Sequence, residues 1–445
     1  MITNPRRQNI HFTHKRNKRN LHSERTIVIK QPERTVIRQL QDALWESSAI
    51  TSILWNYRTK DWVTNVHAID FDNDGDIEVL HSSRDGIVRV HTPMGAKKWE
   101  WKMENKAISA MFALPISMLT ESATAYQRQA CIIVGTREGD LYAIDQNGKT
   151  VKDWHYPTGR MIRQIYATPQ LPNCLLVGSE DRCIHFVDRR TGKELYPPLK
   201  TGGWVRSVFA YDIDGDGACE ILVGSGDDHL YILNSQGQLL DKLFLAHQIY
   251  AMLTAPLMDG GPVRVITSSN RKNLFTWTIH RATDGHWSVE KVWETQPEHT
   301  LFGNRIHTIF VHDIDGDHQQ EILLGAEDGY LYILNLHGQL LLKRRFGSSV
   351  YSIWAMDINN DGQQEILVGT EDNGVYVVQF QINDKIYNRV KNVYNEIITN
   401  QEIDDIKALK ELTPREKATL KEFVDEASPF QRQQMEVDRA TQLMQ

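Results

Sequence analysis

A repeated segment constrains this chain more than any other feature of its sequence. The repeat is clearest in four places: AIDFDNDGDIEVL from Ala68, AYDIDGDGACEILVG from Ala210, VHDIDGDHQQEILLG from Val311 and AMDINNDGQQEILVG from Ala355. A short turn and an alternating strand follow each copy, and that strand reads LYILN both at 230–234 and at 331–335. A Gly-containing turn and a fourth apolar stretch complete the unit. Four short strands without an intervening helical pattern are typical of a β-propeller blade rather than a βαβ unit.

Three fainter copies bring the number of repeats to seven, with middle turns VGTREGD at 134–140, VGSEDRC at 177–183 and TSSNRKN at 267–273. The last copy ends at its third strand, GVYVVQFQ at 374–381, whereas ILWNYRT at 53–59 resembles a fourth strand. We therefore predict an all-β, seven-bladed β-propeller over residues 48–381. In this fold the N-terminal strand completes the seventh blade and leaves no sheet edge open.

The segments that flank the repeats differ from them in composition. Residues 1–38 carry ten Lys or Arg residues and two acidic residues, although the whole chain has a net charge of -7. This predicts a basic, disordered arm at 1–35 that could contact an acidic surface or nucleic acid. An apolar stripe predicts a short amphipathic helix at 36–47. Helix-start signals at Thr413 and Ser428 predict an α-helical C-terminal extension over 382–445.

Acidic side chains recur in the four clear repeats, in the loop between the first and second strands. They occupy loop positions 1, 3, 5 and 9, with one amide among them. The sixteen residues are Asp70, Asp72, Asp74 and Glu78; Asp212, Asp214, Asp216 and Glu220; Asp313, Asp315, Asp317 and Glu321; and Asp357, Asn359, Asp361 and Glu365. A hard cation such as Ca²⁺ takes about six to eight oxygen ligands, which alternate positions of a short loop can supply. We predict Ca²⁺ binding at up to four loops.

Turn formation alone is the alternative explanation, because Asp-Gly-Asp sequences favour Asx-turns. The fainter repeats serve as an internal control, since they place Pro115, Pro169 and Pro256 where the others have the leading Asp. Those blades turn without an acidic cluster, and several carboxylates close together repel one another unless a cation is present. An EF-hand is excluded because strands flank these loops and the last acid stands at position 9.

The acidic loops resemble the FG-GAP (VCBS-type) repeat of integrin alpha subunits and their relatives. The resemblance covers all seven repeats and is most specific in the four loops. It implies that the sixteen residues bind Ca²⁺ on one face of a seven-bladed propeller that recognises other proteins and does not catalyse a reaction. Three features depart from the family pattern: Glu at position 9, Asn359 in the last loop, and His318 where Gly is usual.

A second resemblance points to a different class of protein. The segments DLYAIDQNGKTVKDW at 140–154 and HFVDRRTGKELY at 185–196 are similar to repeats of pyrroloquinoline-quinone-type propellers, which are exported enzymes. The pattern covers two blades. The sequence contains no HExxH motif, Walker-type loop or GxGxxG after a strand. We therefore predict a non-catalytic protein-interaction scaffold, and the alternative is a quinoprotein-like or lyase-like enzyme that uses the mouth of the central channel.

A protein partner should bind the face opposite the acidic loops. Aromatic and Arg side chains dominate binding hot spots, and a channel rim gathers them from every blade. The predicted partner-binding residues lie at the starts of the first strands and in the connections between second and third strands: Trp62, Arg163, Trp204, Arg206, Arg271, His307 and Tyr351. Packing between blades is the alternative role for Trp62 and Trp204.

The sequence also bears on the compartment. It contains no apolar run typical of a signal peptide and no stretch of about 20 apolar residues. The four cysteines, at positions 131, 174, 183 and 219, form no CxxC pair. Reduced thiols and a cytoplasmic location are the prediction.

Overall fold

The computed structural model describes residues 49–70, 74–114, 131–257, 261–270, 273–283, 285–295, 305–316, 318–338 and 340–382. Within these ranges 28 strands form seven four-stranded antiparallel sheets, which confirms the seven-bladed, all-β propeller. The predicted arm at 1–35, the predicted helix at 36–47 and nearly all of the predicted extension at 382–445 lie outside the described residues. In the described part of the chain, no helix is long and apolar enough to span a membrane.

Each blade contains four strands, numbered here in chain order. Blade 1 contains β2 (Val63–Ile69), β3 (Glu78–Ser83), β4 (Ile87–His91) and β5 (Lys97–Lys102). Blade 2 contains β6 (Ile108–Ala113), β7 (Ile132–Thr136), β8 (Asp140–Ile144) and β9 (Thr150–Pro157). Blade 3 contains β10 (Ile162–Tyr166), β11 (Cys174–Ser179), β12 (Cys183–Asp188) and β13 (Glu194–Lys200). Blade 4 contains β14 (Val205–Tyr211), β15 (Glu220–Ser225), β16 (His229–Leu233) and β17 (Leu239–Phe244).

The remaining blades follow the same order. Blade 5 contains β18 (Ile249–Pro256), β19 (Val263–Ser269), β20 (Leu274–Arg281) and β21 (Trp287–Glu294). Blade 6 contains β22 (Ile306–His312), β23 (Glu321–Ala326), β24 (Tyr330–Leu334) and β25 (Leu340–Arg345). Blade 7 contains β26 (Val350–Met356), β27 (Glu365–Thr370), β28 (Gly374–Ile382) and β1 (Ala49–Arg58).

The first strand of every blade is the innermost one and packs against the first strands of its neighbours. The second strand is buried on both faces, as in β15, whose six residues are all buried. The fourth strand alternates exposed and buried residues, as in β9. A hydrophobic run in the second strand and alternation in the fourth are what a central and an outer strand require.

A glycine near the end of the second strand sets the distance between blades. A Cβ on Gly135, Gly178, Gly224, Gly325 or Gly369 would come within 2.6–2.9 Å of the first β-branched residue of the next blade. For Gly369 that residue is Val63, which joins blade 7 to blade 1. Glycine is therefore needed at the positions where neighbouring blades approach most closely.

The ring closes through β1, which pairs with β28 from Ala49↔Ile382 to Arg58↔Gly374. This is the closure that the sequence predicted. Trp55 of β1 also donates a hydrogen bond from its indole Nε1 to the Pro93 carbonyl in blade 1, at 2.7 Å. Tyr57 lies 5.0 Å from the His91 ring of the same blade. Strand β1 therefore completes one sheet and packs against the next.

Candidate functional site

The four acid loops, residues 70–78, 212–220, 313–321 and 357–365, share one hydrogen-bond pattern. In each, the leading aspartate accepts a hydrogen bond from the backbone N–H at position 6, over 2.9–3.1 Å. Asp212 also accepts one from Gly215, at 2.8 Å. The position-6 residues all have positive φ: Gly75, Gly217, His318 and Gly362. The leading aspartates therefore hold a turn that favours glycine.

The glutamate at position 9 closes the loop from its other end. It is buried in all four loops. Glu220, Glu321 and Glu365 each accept a hydrogen bond from the position-2 backbone N–H, over 3.0–3.1 Å. Burial raises the pKa of Glu220 and of Glu365 to about 7, and the neighbouring aspartates contribute. In Glu365 the Oε1 atom has no hydrogen-bond partner among the described residues, so part of this buried carboxylate is uncompensated.

Basic side chains reach two of the acid loops. In blade 1 the Lys98 ammonium lies 2.6 Å from Glu78 Oε1 and 3.3 Å from Asp74 Oδ2. In blade 4 Arg281, which comes from the neighbouring blade 5, lies 3.0 Å from Asp214 and 3.1 Å from Asp216. Lys98 thus places a cation directly on the position-9 glutamate, whereas Arg281 contacts the outer aspartates.

The described carboxylate oxygens lie close enough together to share a hard cation in two of the loops. Carboxylate oxygens of Asp212, Asp214 and Glu220 all lie within 4.8 Å of one another, as do those of Asp313, Asp315 and Glu321. In blade 7 the indication of a cation is the buried Glu365 Oε1 atom, which has no hydrogen-bond partner among the described residues. The side chains of this loop offer oxygen atoms, which are the ligands that a hard cation prefers. In blade 1 Lys98 already provides the positive charge. The predicted ligands Asp72 and Asp317 lie outside the described residues.

The opposite face is organised by a β-bulge that recurs in all seven blades. The register between first and second strands shifts immediately after the first residue of each first strand. The extra residues are Thr64, Ser109, Arg163, Arg206, Tyr250, His307 and Tyr351. A bulge re-aims its side chain, and here it places one residue from every blade at the same end of the channel.

The large bulge residues form a contiguous belt with their neighbours. We call it the mouth rim: Trp62, Arg84, Arg163, Trp204, Arg206, Tyr250, Arg305, His307 and Tyr351. The Tyr351 ring lies 5.7 Å from Trp62 and 4.4 Å from His307, and His307 lies 6.0 Å from Tyr250. The Arg206 guanidinium lies 4.5 Å from the Tyr250 ring centroid and 5.1 Å from Trp204. On the far side Arg84 lies 3.5 Å from the Trp62 ring centroid.

The mouth rim brings together six residues that the sequence named as partner-binding: Trp62, Arg163, Trp204, Arg206, His307 and Tyr351. The seventh, Arg271, lies outside the described residues. Tyr250 and Arg305 were missed. For Tyr250, blade 5 lacks the acidic motif that aligns the repeats, and residue types alone do not reveal the bulge. The signal was available, since Tyr250 follows Ile249 as Arg206 follows Val205. Trp204 is 42% exposed, whereas Trp154 and Trp293 pack between blades.

Three arginines of the mouth rim have no carboxylate within ion-pair distance among the described residues. Arg305 donates a hydrogen bond to the Tyr250 hydroxyl at 3.4 Å. The other two, Arg84 and Arg206, are half-buried and stack on aromatic rings. Burial lowers the pKa of each, and the neighbouring Arg137 and Arg163 lower it further. Arg163, by contrast, is paired with Glu180. Burial also lowers the pKa of His307 to about 4, so this ring is neutral at pH 7.

An aromatic layer lines the channel between the mouth rim and the acid loops. Its rings come from one position of the first strands and contact one another at 4.2–5.9 Å, from Phe310 through Trp354, His67, Phe112 and Tyr166 to Phe209. Leu253 occupies the equivalent position in blade 5. Burial lowers the pKa of His67 to about 4. The two candidate sites are therefore separated by an apolar segment of the channel.

One further cluster is explained by the fold. Asp181, Cys183 and His185 place potential ligand atoms within 4.8 Å of one another. The aspartate, however, accepts a hydrogen bond from His185 at 2.9 Å, across the turn between second and third strands. The same clamp joins Asp85 to Arg89, Asp227 to Tyr231 and Asp328 to Tyr332. The cluster is therefore one version of a recurring structural turn.

Comparison with known proteins supports the fold. A family model described as the lambda-carrageenase beta-propeller domain matches residues 287–348. No curated protein gives a significant match to this chain. Among solved structures, the chain is similar to the crystal structure of BBS1N in complex with ARL6DN, in crystals soaked with lead. That similarity has a TM-score of 0.57 and 14% sequence identity, over 76% of this chain and 98% of the other.

Two further structures agree with the first. The BBS1N–ARL6DN complex soaked with mercury gives a TM-score of 0.56 at 15% identity, over 76% of this chain and 98% of that one. The WD40 beta propeller domain of Doa1 gives a TM-score of 0.54 at 14% identity, over 76% of this chain and 99% of that one. At these identities the likeness concerns the fold, and the chain is a seven-bladed β-propeller.

Proposed function

We propose that this chain is a non-catalytic protein-interaction scaffold of the FG-GAP type, whose partner binds the mouth rim. The observation that carries the proposal is the contiguous belt of aromatic and guanidinium groups around the channel mouth. Trp, Tyr and Arg are the residue types that contribute most to binding hot spots. A structurally similar propeller, BBS1N, was crystallised in complex with another protein, ARL6DN, and this supports the same use of the fold here.

The test compares a variant of the mouth rim with a matched variant of the opposite face. Trp204→Ala with Arg206→Ala should abolish capture of specific partners and leave the melting temperature nearly unchanged, because Trp204 is exposed. Arg281→Ala is the matched control, since Arg281 contacts the acid loop of blade 4. The measurement is affinity capture of the tagged full-length chain with quantitative mass spectrometry, alongside thermal melting.

Three results would count against the proposal. Identical capture by the wild type and the double variant would exclude the mouth rim as the binding face. Equal loss in the Arg281→Ala control would show that the effect is not specific to this face. A collapse of the melting temperature in the double variant would assign Trp204 and Arg206 to packing between blades.

We also propose that the acid loops of blades 4, 6 and 7 bind Ca²⁺. The supporting observations are the clustered carboxylates of the first two loops and the unpartnered Glu365 Oε1 in the third. Burial raises the pKa of Glu220 and of Glu365 to about 7, and a cation beside them would favour the ionised form, as the Lys98 ammonium does beside Glu78 in blade 1. Carboxylate oxygens gathered around a buried glutamate favour a bound hard cation. In blade 4 the cation would compete with Arg281 for Asp214 and Asp216.

Calorimetry after exhaustive chelation tests this proposal. Ca²⁺ should bind with measurable heat and raise the melting temperature, with about 2.7 kcal/mol of stabilisation at 100 times the dissociation constant. Asp313→Ala with Asp315→Ala should reduce the number of bound ions by one. Lys98→Met should add one in blade 1, because it removes the ammonium that lies 2.6 Å from Glu78 Oε1. Absence of heat and of thermal stabilisation at millimolar Ca²⁺ would refute the proposal.

A further inference from the structure

The arginines of the mouth rim are arranged to receive an anion from outside. Arg84 lies over the Trp62 ring at 3.5 Å, and Arg206 lies between Trp204 and Tyr250. A guanidinium that stacks on an aromatic face keeps its N–H donors in the plane of the group, where a ligand can reach them. Two parallel N–H groups of an arginine can donate hydrogen bonds to the two oxygens of one carboxylate.

These two guanidiniums are also short of partners. Among the described residues neither has a carboxylate within ion-pair distance, and Arg206 Nε is buried without a hydrogen-bond partner. Tyr351 lies close enough to three charges to feel them: the cations Arg84 and Arg163, from blades 1 and 3, and the Glu371 carboxylate of its own blade. A half-buried cation without a partner is unfavourable until an anion binds it.

The surroundings distinguish a peptide from a nucleic acid. Four carboxylates lie among the arginines of the mouth rim: Glu180 pairs with Arg163 and also acts on Arg206, Glu327 lies near Arg305, and Asp61 and Glu371 act on Arg84 without pairing directly with it. A continuous polyanion would meet these carboxylates as well as the arginines. Separate acidic side chains on a peptide could reach Arg84 and Arg206 while avoiding them, and apolar side chains between them could cover Trp62 and Trp204.

We propose that the partner of the mouth rim presents an acidic peptide segment whose carboxylates bind Arg84 and Arg206. This inference rests on the proposed function, and it adds the chemistry of the partner. The carboxylates complete the hydrogen bonding of the two guanidiniums, and the aromatic rings beside them hold the apolar part of the segment.

The experiment selects peptides from a displayed random library with the full-length chain as bait. Enriched peptides should contain Asp and Glu above their frequency in the library. Fluorescence anisotropy should show binding that is about tenfold or more weaker for Arg84→Gln and for Arg206→Gln, since each removes a charge-assisted hydrogen bond. Arg281→Gln is the matched control and should bind as the wild type does. Replacing all the acids of the peptide by amides should weaken binding to the wild type as much as the double variant Arg84→Gln with Arg206→Gln does, and should not weaken binding to that double variant further.

The alternative outcomes separate this inference from the proposed function. Peptides that respond to Trp204→Ala but bind the arginine variants normally would refute the acidic partner and leave the mouth rim as the binding face. Peptides that ignore every variant of the mouth rim would refute both. A duplex DNA oligonucleotide that displaces the peptides at lower concentration would overturn the choice of a peptide.

Discussion

The two faces of this propeller use their charged side chains in opposite ways. In the acid loop of blade 4, both carboxylate oxygens of Asp212 accept hydrogen bonds from backbone N–H groups of the same loop, and Glu220 accepts one through Oε2 from the Ile213 N–H. At the mouth rim, Arg84 and Arg206 stack on aromatic rings without a carboxylate partner among the described residues. Charges that bond within their own loop hold the fold, whereas charges left at a surface are available to a partner. Substitutions should therefore affect stability on one face and binding on the other.

The largest effect should come from a deletion that unfolds the propeller and removes both faces. Deleting residues 48–60 removes β1, which completes blade 7 and packs Trp55 and Tyr57 on blade 1. An open sheet edge and an exposed blade 1 surface should prevent cooperative folding, so both faces are lost together. Thermal melting followed by circular dichroism, with size-exclusion chromatography, measures this. Deleting residues 1–35 is the control and should melt as the full chain does; a monomeric, cooperatively melting 48–60 deletion would contradict the role of β1.

The fold could be predicted from the sequence because the constraint is repeated. The glycine near the end of the second strand and the alternation of the fourth strand recur in most blades. The glycine follows from how closely the blades approach, and the alternation from the outer position of the fourth strand. Ion pairs such as Lys98 with Glu78 could not be predicted, since they join residues about 20 positions apart whose contact depends on twist. Arg281 is less predictable still, because it reaches Asp214 from another blade.

The mouth rim could be predicted from the sequence only in part. The sequence named Arg206 and Tyr351 by residue type, but it did not reveal the bulge that places them at equivalent positions. A bulge depends on the pairing of two strands, and residue types alone do not specify it. Tyr250 was missed for this reason.

A direct comparison of one substitution on each face should show an intermediate effect. Asp212→Ala removes two hydrogen bonds to the loop backbone and should lower the free energy of unfolding by about 1 to 2 kcal/mol. Trp204→Ala should change it by less than about 0.5 kcal/mol, as expected for an exposed residue. Chemical denaturation in the presence of a chelator measures both. If Trp204→Ala proves as destabilising as Asp212→Ala, the distinction between the two faces is wrong.

The last effect is absent at neutral pH and concerns the aromatic layer that separates the faces. Burial lowers the folded-state pKa of His67 to about 4, below the ordinary value near 6.5, so the fold favours the neutral ring. The resulting stabilisation is fully present above pH 6.5 and is lost progressively as the pH falls from about 6.5 to 4. His67→Phe keeps an aromatic ring between Phe112 and Trp354 but cannot be protonated. The slope of stability against pH in this window should therefore be shallower for the variant.

Melting temperatures measured between pH 7 and pH 4.5 test this prediction. The matched variant at the mouth rim is His307→Phe, since burial also lowers the pKa of His307 to about 4. A slope that neither variant changes would mean that acid acts elsewhere, and a change in His307→Phe alone would place the pH-sensitive ring at the binding face.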